Sequence, residues 1–125
     1  MSVHEIRLPW PAPPLSLNDR GDWRARARRT KAVRRTAAAF VRAARIPHAE
    51  RIRVTLTYHP RDRRTRDSDN VVATLKPVCD AIVDAGVVAD DDPAHMAKDM
   101  PVIGTVDTKD PRLMLTIEVL EQVVR

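Results

Sequence analysis

Asp67 and Asp69 stand two residues apart in the string Asp67-Ser68-Asp69-Asn70, where a basic loop gives way to a helical pattern. In locally extended chain, residues two apart point the same way, so both carboxylates can face one site. Two acids held that close repel each other unless a cation lies between them, and clustered hard oxygen donors suit Mg²⁺ or Mn²⁺. The competing reading is structural, because an aspartate ahead of a helix also caps it. Lys76 lies seven residues beyond Asp69. On a helix of 3.6 residues per turn that is within about 20° of the same direction, so its ammonium can reach a phosphoryl oxygen beside such an ion. It can equally pair with Asp80 one turn on, a routine surface contact. Asp90-Asp91-Asp92 is a second acidic cluster that by itself reads as a solvated loop. His95 follows it with no other histidine at ligand spacing and is read as a bystander. Thr74, Ser68 and Cys79 lack the nearby base that an activated nucleophile requires, so covalent catalysis finds no support.

The elements that must position these groups follow from periodicity. Ile6 to Leu8 reads as a short strand, halted by Pro9, Pro11, Pro13 and Pro14. Asp22 can cap a helix running to about Arg45, with Trp23, Ala27, Thr30, Val33, Ala37, Phe40, Val41 and Ala44 on its inward face. A neighbouring stripe carries Arg24, Arg28, Lys31, Arg35, Arg42 and Arg45 at the same period, and like charges so spaced repel. Arg51 to His59 alternates as a half-buried strand with Ile52, Val54, Leu56 and Tyr58 inward. An arginine-rich loop follows (Arg61, Arg63, Arg64, Arg66), then a second helix on Val71, Leu75, Val78 and Ile82 that ends near Ala85 with Gly86 as a left-handed stop. Pro77 inside that helix implies a kink or two segments. Met100 to Val106 and Leu113 to Leu120 read as strands, joined as a hairpin through Asp107 to Pro111. The order strand, helix, strand, helix, strand, strand implies an α+β domain, with two main helices packed on a mixed, mostly antiparallel sheet.

A chain of 125 residues and 14.1 kDa supports one domain over residues 1–125. Its 43% apolar and 31% charged residues can fill a core and still cover it with charge. Aromatics are 3%, so base stacking is not the way it would hold an unpaired strand. One cysteine forms no internal disulfide or thiolate site, and three dispersed glycines exclude a phosphate loop or dinucleotide fingerprint. No apolar run approaches membrane length and no signal-peptide pattern opens the chain, which implies a cytoplasmic protein without a membrane partner. The net charge of +5 conceals a segregation: residues 1–66 carry seventeen Lys and Arg against five acids, residues 67–125 five against twelve. Eighteen of the twenty-two cations are arginine, whose planar fork suits phosphate. A polyanion is the obvious partner, and the alternative is that the two halves neutralise each other.

At these residues the chain resembles the RusA-type Holliday junction resolvases, metal-dependent endodeoxyribonucleases of bacteria and phages. The likeness is carried by Leu8-Pro9-Trp10-Pro11 with Asn18 following, and by the basic run before Asp67-Ser68-Asp69-Asn70. It continues through Lys76, Asp80-Ala81-Ile82, Ala85-Gly86-Val87 and Asp90-Asp91. It covers essentially the whole chain, and Arg63 to Asp91 is its specific part. The resemblance implies a homodimer that cuts four-way DNA junctions by symmetric nicks. It assigns catalysis to Asp67, Asp69, Asp91 and Lys76, and Mg²⁺ (or Mn²⁺) to Asp67, Asp69 and Asp91 with Asp90 beside them. No small-molecule cofactor is implied, and a phage or prophage origin is compatible. The lysine stands three residues further from the Asp-Asn pair than in the best-known member, close to one helical turn, which keeps it on the face of Asp69.

Arg24, Arg28, Lys31, Arg35, Arg61, Arg63, Arg64 and Arg66 are the expected DNA contacts, positioning branched duplex without reading its sequence. A straight helix from Asn70 to Ala85 is roughly 24 Å long, and five steps from Gly86 to Asp91 span at most about 17 Å. Asp91 is therefore expected to join the other acids from a partner protomer, unless Pro77 bends the helix. The competing functions are a basic DNA-binding protein without catalysis and a nuclease of RNA or single strands.

Overall fold

The computed structural model describes residues 2–16, 21–64 and 69–124, with Asp69 described by its backbone alone. The elements in order are β1 (Val3–Arg7), α1 (Trp23–Ala43), β2 (Ala49–His59), α2 (Asp69–Asp84), β3 (Met96–Lys98), β4 (Val102–Ile103) and β5 (Arg112–Gln122). They form a single α+β domain whose mixed sheet runs β1-β5-β2, with β3 and β4 both on the far edge of β2.

The long strands β2 and β5 pair antiparallel, and their alternation sets the core. The register places Ile52 opposite Val119, Val54 opposite Ile117, Leu56 opposite Leu115 and Tyr58 opposite Leu113, all buried. Each pair puts two apolar side chains on one face, and full burial of such a side chain stabilises by roughly 1.5–3 kcal/mol. Onto this face pack Ala37, Ala38 and Val41 of α1 and Val71, Val78, Cys79, Ala81 and Ile82 of α2. α1 starts where expected: Asp22 is its N-cap, its carboxylate accepting the Arg24 N–H at 3.1 Å. α2 runs through Pro77 as one element rather than two, and Gly86 stops it at φ +80°.

Three sequence expectations are corrected. Burial on α1 begins only at Val33: Trp23 is 65% exposed, its ring instead lying 5.4 Å from the Arg24 guanidinium, and Ala27, Thr30, Phe40 and Ala44 are exposed too. Periodicity identifies the inward stripe but not how far along the helix other elements reach to cover it. Next, β4 and β5 form no hairpin, because β2 lies between them: β4 pairs parallel with β2 on one edge and β5 antiparallel on the other. The Asp107 to Pro111 segment is a turn, closed by the Asp110 N–H on the Asp107 carbonyl at 3.3 Å, and it passes around the end of β2, with the Asp107 N–H on the Pro60 carbonyl at 2.8 Å. Finally, the strand expected over Met100–Val106 is Val102–Ile103 alone, while Met96–Lys98 forms a strand that was not expected. Pro101 separates the two, having no N–H to give a ladder and restricting the residue before it. At the far end of β4, Gly104 lies so close to β2 that a Cβ there would sit 2.7 Å from the His59 ring.

Candidate active site and nucleic-acid surface

Lys76 and Asp91 meet in one chain. Gly86 reverses the backbone after α2, Val87 and Val88 bury themselves against the core, and the chain runs back until Asp91 stands level with Lys76. The Lys76 ammonium donates to Asp91 Oδ2 at 2.8 Å and to Asp80 Oδ1 at 2.9 Å. Lys98, from the unexpected strand β3, donates to the same Asp91 oxygen at 3.3 Å. The hydrogen bond from Lys76, then that from Lys98, holds the Asp91 carboxyl down at about 2, and its partners Asp91 and Asp80 hold the Lys76 ammonium above the ordinary lysine range. Both groups are therefore charged at any working pH.

The return of Asp91 to Lys76 covers the eight helical steps from Lys76 to Asp84, about 12 Å of axis, within the reach of five extended steps. A partner protomer is thus not required to bring Asp91 to Lys76; the expectation that Asp91 joins Asp67 and Asp69 from a partner concerns side chains outside the described residues. Asp69 opens α2, seven residues and about 10 Å of axis before Lys76. Asp67 and Arg66 lie outside the described residues, as do the Asp69 side chain and Asn18.

Asp90 is exposed and its Oδ1 accepts the Asp91 backbone N–H at 2.7 Å. Asp92 accepts from His95 twice, from the backbone N–H at 3.1 Å and at ring Nδ1 at 2.6 Å, so His95 holds the turn before β3 and takes no part with Lys76. Among the described residues, no three His, Cys, Asp or Glu side chains gather around a common point. The donor chemistry of Asp91 nevertheless suits a hard divalent cation: both lysines take Oδ2, and Oδ1 has no partner among the described residues. Cys79, buried under α2, has its thiol pushed up to about 11 by burial and is inert.

Arg34 extends the charged network across the helix layer. Its guanidinium donates to Asp84 through Nε at 2.6 Å and Nη2 at 2.8 Å, and Nη1 lies 3.8 Å from Asp80. Opposite charges therefore alternate from Asp84 through Arg34, Asp80, Lys76 and Asp91 to Lys98. Of the expected DNA contacts, Arg28, Lys31, Arg35 and Arg63 are exposed and make no ion pair among the described residues. Arg24 stacks on Trp23, while Arg61 and Arg64 lie 3.7 and 3.3 Å from Asp62. Lys31 and Arg35 share with Arg34 and Arg42 a groove of about 380 Å³ whose one acid is Asp84.

Sequence reasoning missed Lys98 and Arg34. Lys98 sits in a strand too short to show a pattern. Arg34 had a signal, since it lies four residues before Ala38 and seven before Val41, both buried, and a cation on a buried stripe implies an acid facing it.

No known protein family's profile matches the chain. Over 88 residues it is 33% identical to an uncharacterized protein of Xylella fastidiosa (strain Temecula1 / ATCC 700964), a stretch covering 66% of this chain. The match spans 58% of that protein's length. No helix among the described residues is long and apolar enough to cross a membrane.

Proposed function

We propose that this protein is a metal-dependent endodeoxyribonuclease of the RusA type that hydrolyses phosphodiesters in four-way DNA junctions. The observation that carries the reading is the contact between Lys76 and Asp91, two residues fifteen apart in sequence that the family resemblance assigns to one centre and that stand 2.8 Å apart. Asp67, Asp69 and Asp91, with Asp90 beside them, would hold Mg²⁺ or Mn²⁺, which when bound polarises the phosphate and lowers the pKa of a bound water. Lys76 stabilises negative charge that grows on the phosphoryl oxygens, already oriented by Asp80 and Asp91. Arg28, Lys31, Arg35 and Arg63 offer unpaired charge to duplex arms, with Arg24, Arg61, Arg64 and Arg66 flanking them. Two symmetric nicks call for two sites related by a two-fold axis, hence a homodimer.

The second reading, a basic DNA-binding protein without catalysis, is favoured by the ion pairs that already engage Asp80, Asp84 and Asp91. Incubating a labelled four-way junction with Mg²⁺ separates the two. Cleavage by the native chain and none by Asp69→Asn is the expected result. If both proteins cut, the assignment of the acids is wrong; if neither cuts but both bind, the protein is a binder.

A further inference from the structure

A cavity of about 300 Å³ opens beside Asp91, lined by Arg51, Asp91, Pro93, Met96, Ala97 and Lys98 and by no residue of α2. Its two cations come from adjacent strands, because β3 pairs parallel with β2 at Ile52 to Val54. Arg51 is half-buried, and its guanidinium makes no hydrogen bond or ion pair among the described residues. Arg112, the other half-buried arginine among the described residues, faces the Asp107 carboxylate at 2.7 Å. Of the nearby acids, Asp91 is engaged by the two lysines and Asp92 by His95, while Glu121, opposite Arg51 on β5, makes no ion pair with it. A partly desolvated guanidinium with an ammonium across the cavity is a seat for an anion of phosphate size.

We infer that Arg51 and Lys98 hold a backbone phosphate of the DNA strand, next to the phosphate that is attacked beside Lys76 and Asp91. The inference rests on the proposed function for the identity of the ligand, and it adds a subsite on the sheet edge that the helix-borne residues do not supply. Lys98 joins the two places, since its ammonium reaches Asp91 Oδ2 at 3.3 Å and also lines the cavity. A strand entering here is fixed in register on both sides of Asp91, which positions the scissile bond without reading bases.

The test is binding of a labelled four-way junction by the full-length native chain, Arg51→Gln and Lys98→Gln in metal-free buffer, followed by anisotropy between about 50 and 200 mM salt. Loss of one phosphate contact lowers the slope of log affinity against log salt by about 0.9, and each variant is expected to show that drop with several-fold weaker binding. Lys109→Gln, in the turn before β5 at the opposite end of β2, is the control for loss of one charge and is expected to leave the slope unchanged. Slopes equal to the native value in both cavity variants overturn the inference, as does an equal drop in Lys109→Gln. Should Arg51→Gln fail to fold, Lys98→Gln alone decides. Nicking in Mg²⁺ is scored in parallel: selective slope changes without nicking by the native chain support the cavity and refute the nuclease, while nicking with unchanged slopes does the reverse. A native chain that binds no DNA refutes both.

Discussion

Replacing Asp91 by Asn keeps the side chain's shape and removes its charge, and it should abolish cleavage while tightening DNA binding. Lys76 and Lys98 both rest on Oδ2 of this one carboxylate, at 2.8 and 3.3 Å, so the variant leaves two ammonium charges facing a neutral acceptor. For a phosphate about 6 Å away, one unit of charge is worth about 0.7 kcal/mol at the dielectric constant of water and about 2.8 kcal/mol at an effective value of 20. The Asp91 side chain is 22% exposed, and salt screens what remains, so the lower part of that range applies. Junction affinity in metal-free buffer should therefore rise about three- to tenfold, the factors that 0.7 and 1.4 kcal/mol represent. Cleavage in Mg²⁺ should fall at least about 100-fold, the scale for losing one group that stabilises transition-state charge. Gel-shift titration and single-turnover cleavage on the same junction read the two effects. A misfolded variant would lose both, so opposite changes in binding and cleavage are diagnostic. Cleavage within twofold of native, or weaker binding by a folded variant, would refute the role given to Asp91.

His95 carries a pH dependence, because the hydrogen bond to Asp92 raises its pKa above the ordinary 6.5 and lowers that of Asp92 below 3.8. The His95 contribution is fully present below the unfolded pKa and is lost as pH rises through the raised folded value; that of Asp92 is lost as pH falls through its depressed value. The melting temperature of His95→Gln should thus lie furthest below native at pH values under the ordinary histidine range and converge with it as pH rises through the raised value, and a difference independent of pH would remove the pair from the account. Gly104→Ala would place a Cβ 2.7 Å from His59 Cε1 and 2.9 Å from Thr57 Cγ2, and overpacking of this kind costs about 1–3 kcal/mol. Thermal denaturation should show a loss of several degrees, and a native melting point would mean that the His59 ring gives way freely. Trp23→Ala, at a position 65% exposed, should change stability by less than about 0.5 kcal/mol; a loss of 3 kcal/mol in urea would show that the helix face at Trp23 is covered after all.

The long elements were legible because each repeats its pattern several times. β2 alternates from Arg51 to His59 and β5 from Arg112 to Leu120, and the caps of α1 and α2 are written in Asp22 and Gly86. β3 was not legible and β4 only as the middle of a longer expected strand, the two being three and two residues long and separated by Pro101. Their pairing was illegible for a further reason. Proximity in sequence favours a hairpin between Met100–Val106 and Leu113–Leu120, but β2 has two edges to satisfy, and each segment takes one. The same omission hid half of the site, since Lys98 and the cavity beside it exist only because β3 adds to β2. Lys76 and Asp80 were visible as helical neighbours. Asp91 was visible beside Lys76 only through the family resemblance, because chain length sets a limit on reach and says nothing about direction.

The segregation of charge posed two readings, a surface for a polyanion or neutralisation within the chain, and α1 contains both. At 100° per residue Arg24, Arg28, Lys31 and Arg35 fall within about 60° of one another, while Arg34 lies about 80° away on the side of Ala38 and Val41. That side meets α2, so Arg34 is committed to Asp80 and Asp84, and Arg42 to the Asp84 carbonyl at 3.1 Å. Those contacts account for Asp80 and Asp84 on α2 but leave Arg28, Lys31 and Arg35 with like-charged neighbours and no acid among the described residues. Repulsion of a few tenths of a kcal/mol per pair therefore persists along an exposed stripe that internal pairing does not relieve. Neutralisation explains one face of the helix, and the other is the face to which the proposed function brings a polyanion. The two faces are linked through Arg34, whose carboxylate partner Asp80 also holds Lys76, so the helix that presents the free cations also fixes the lysine at the candidate active site.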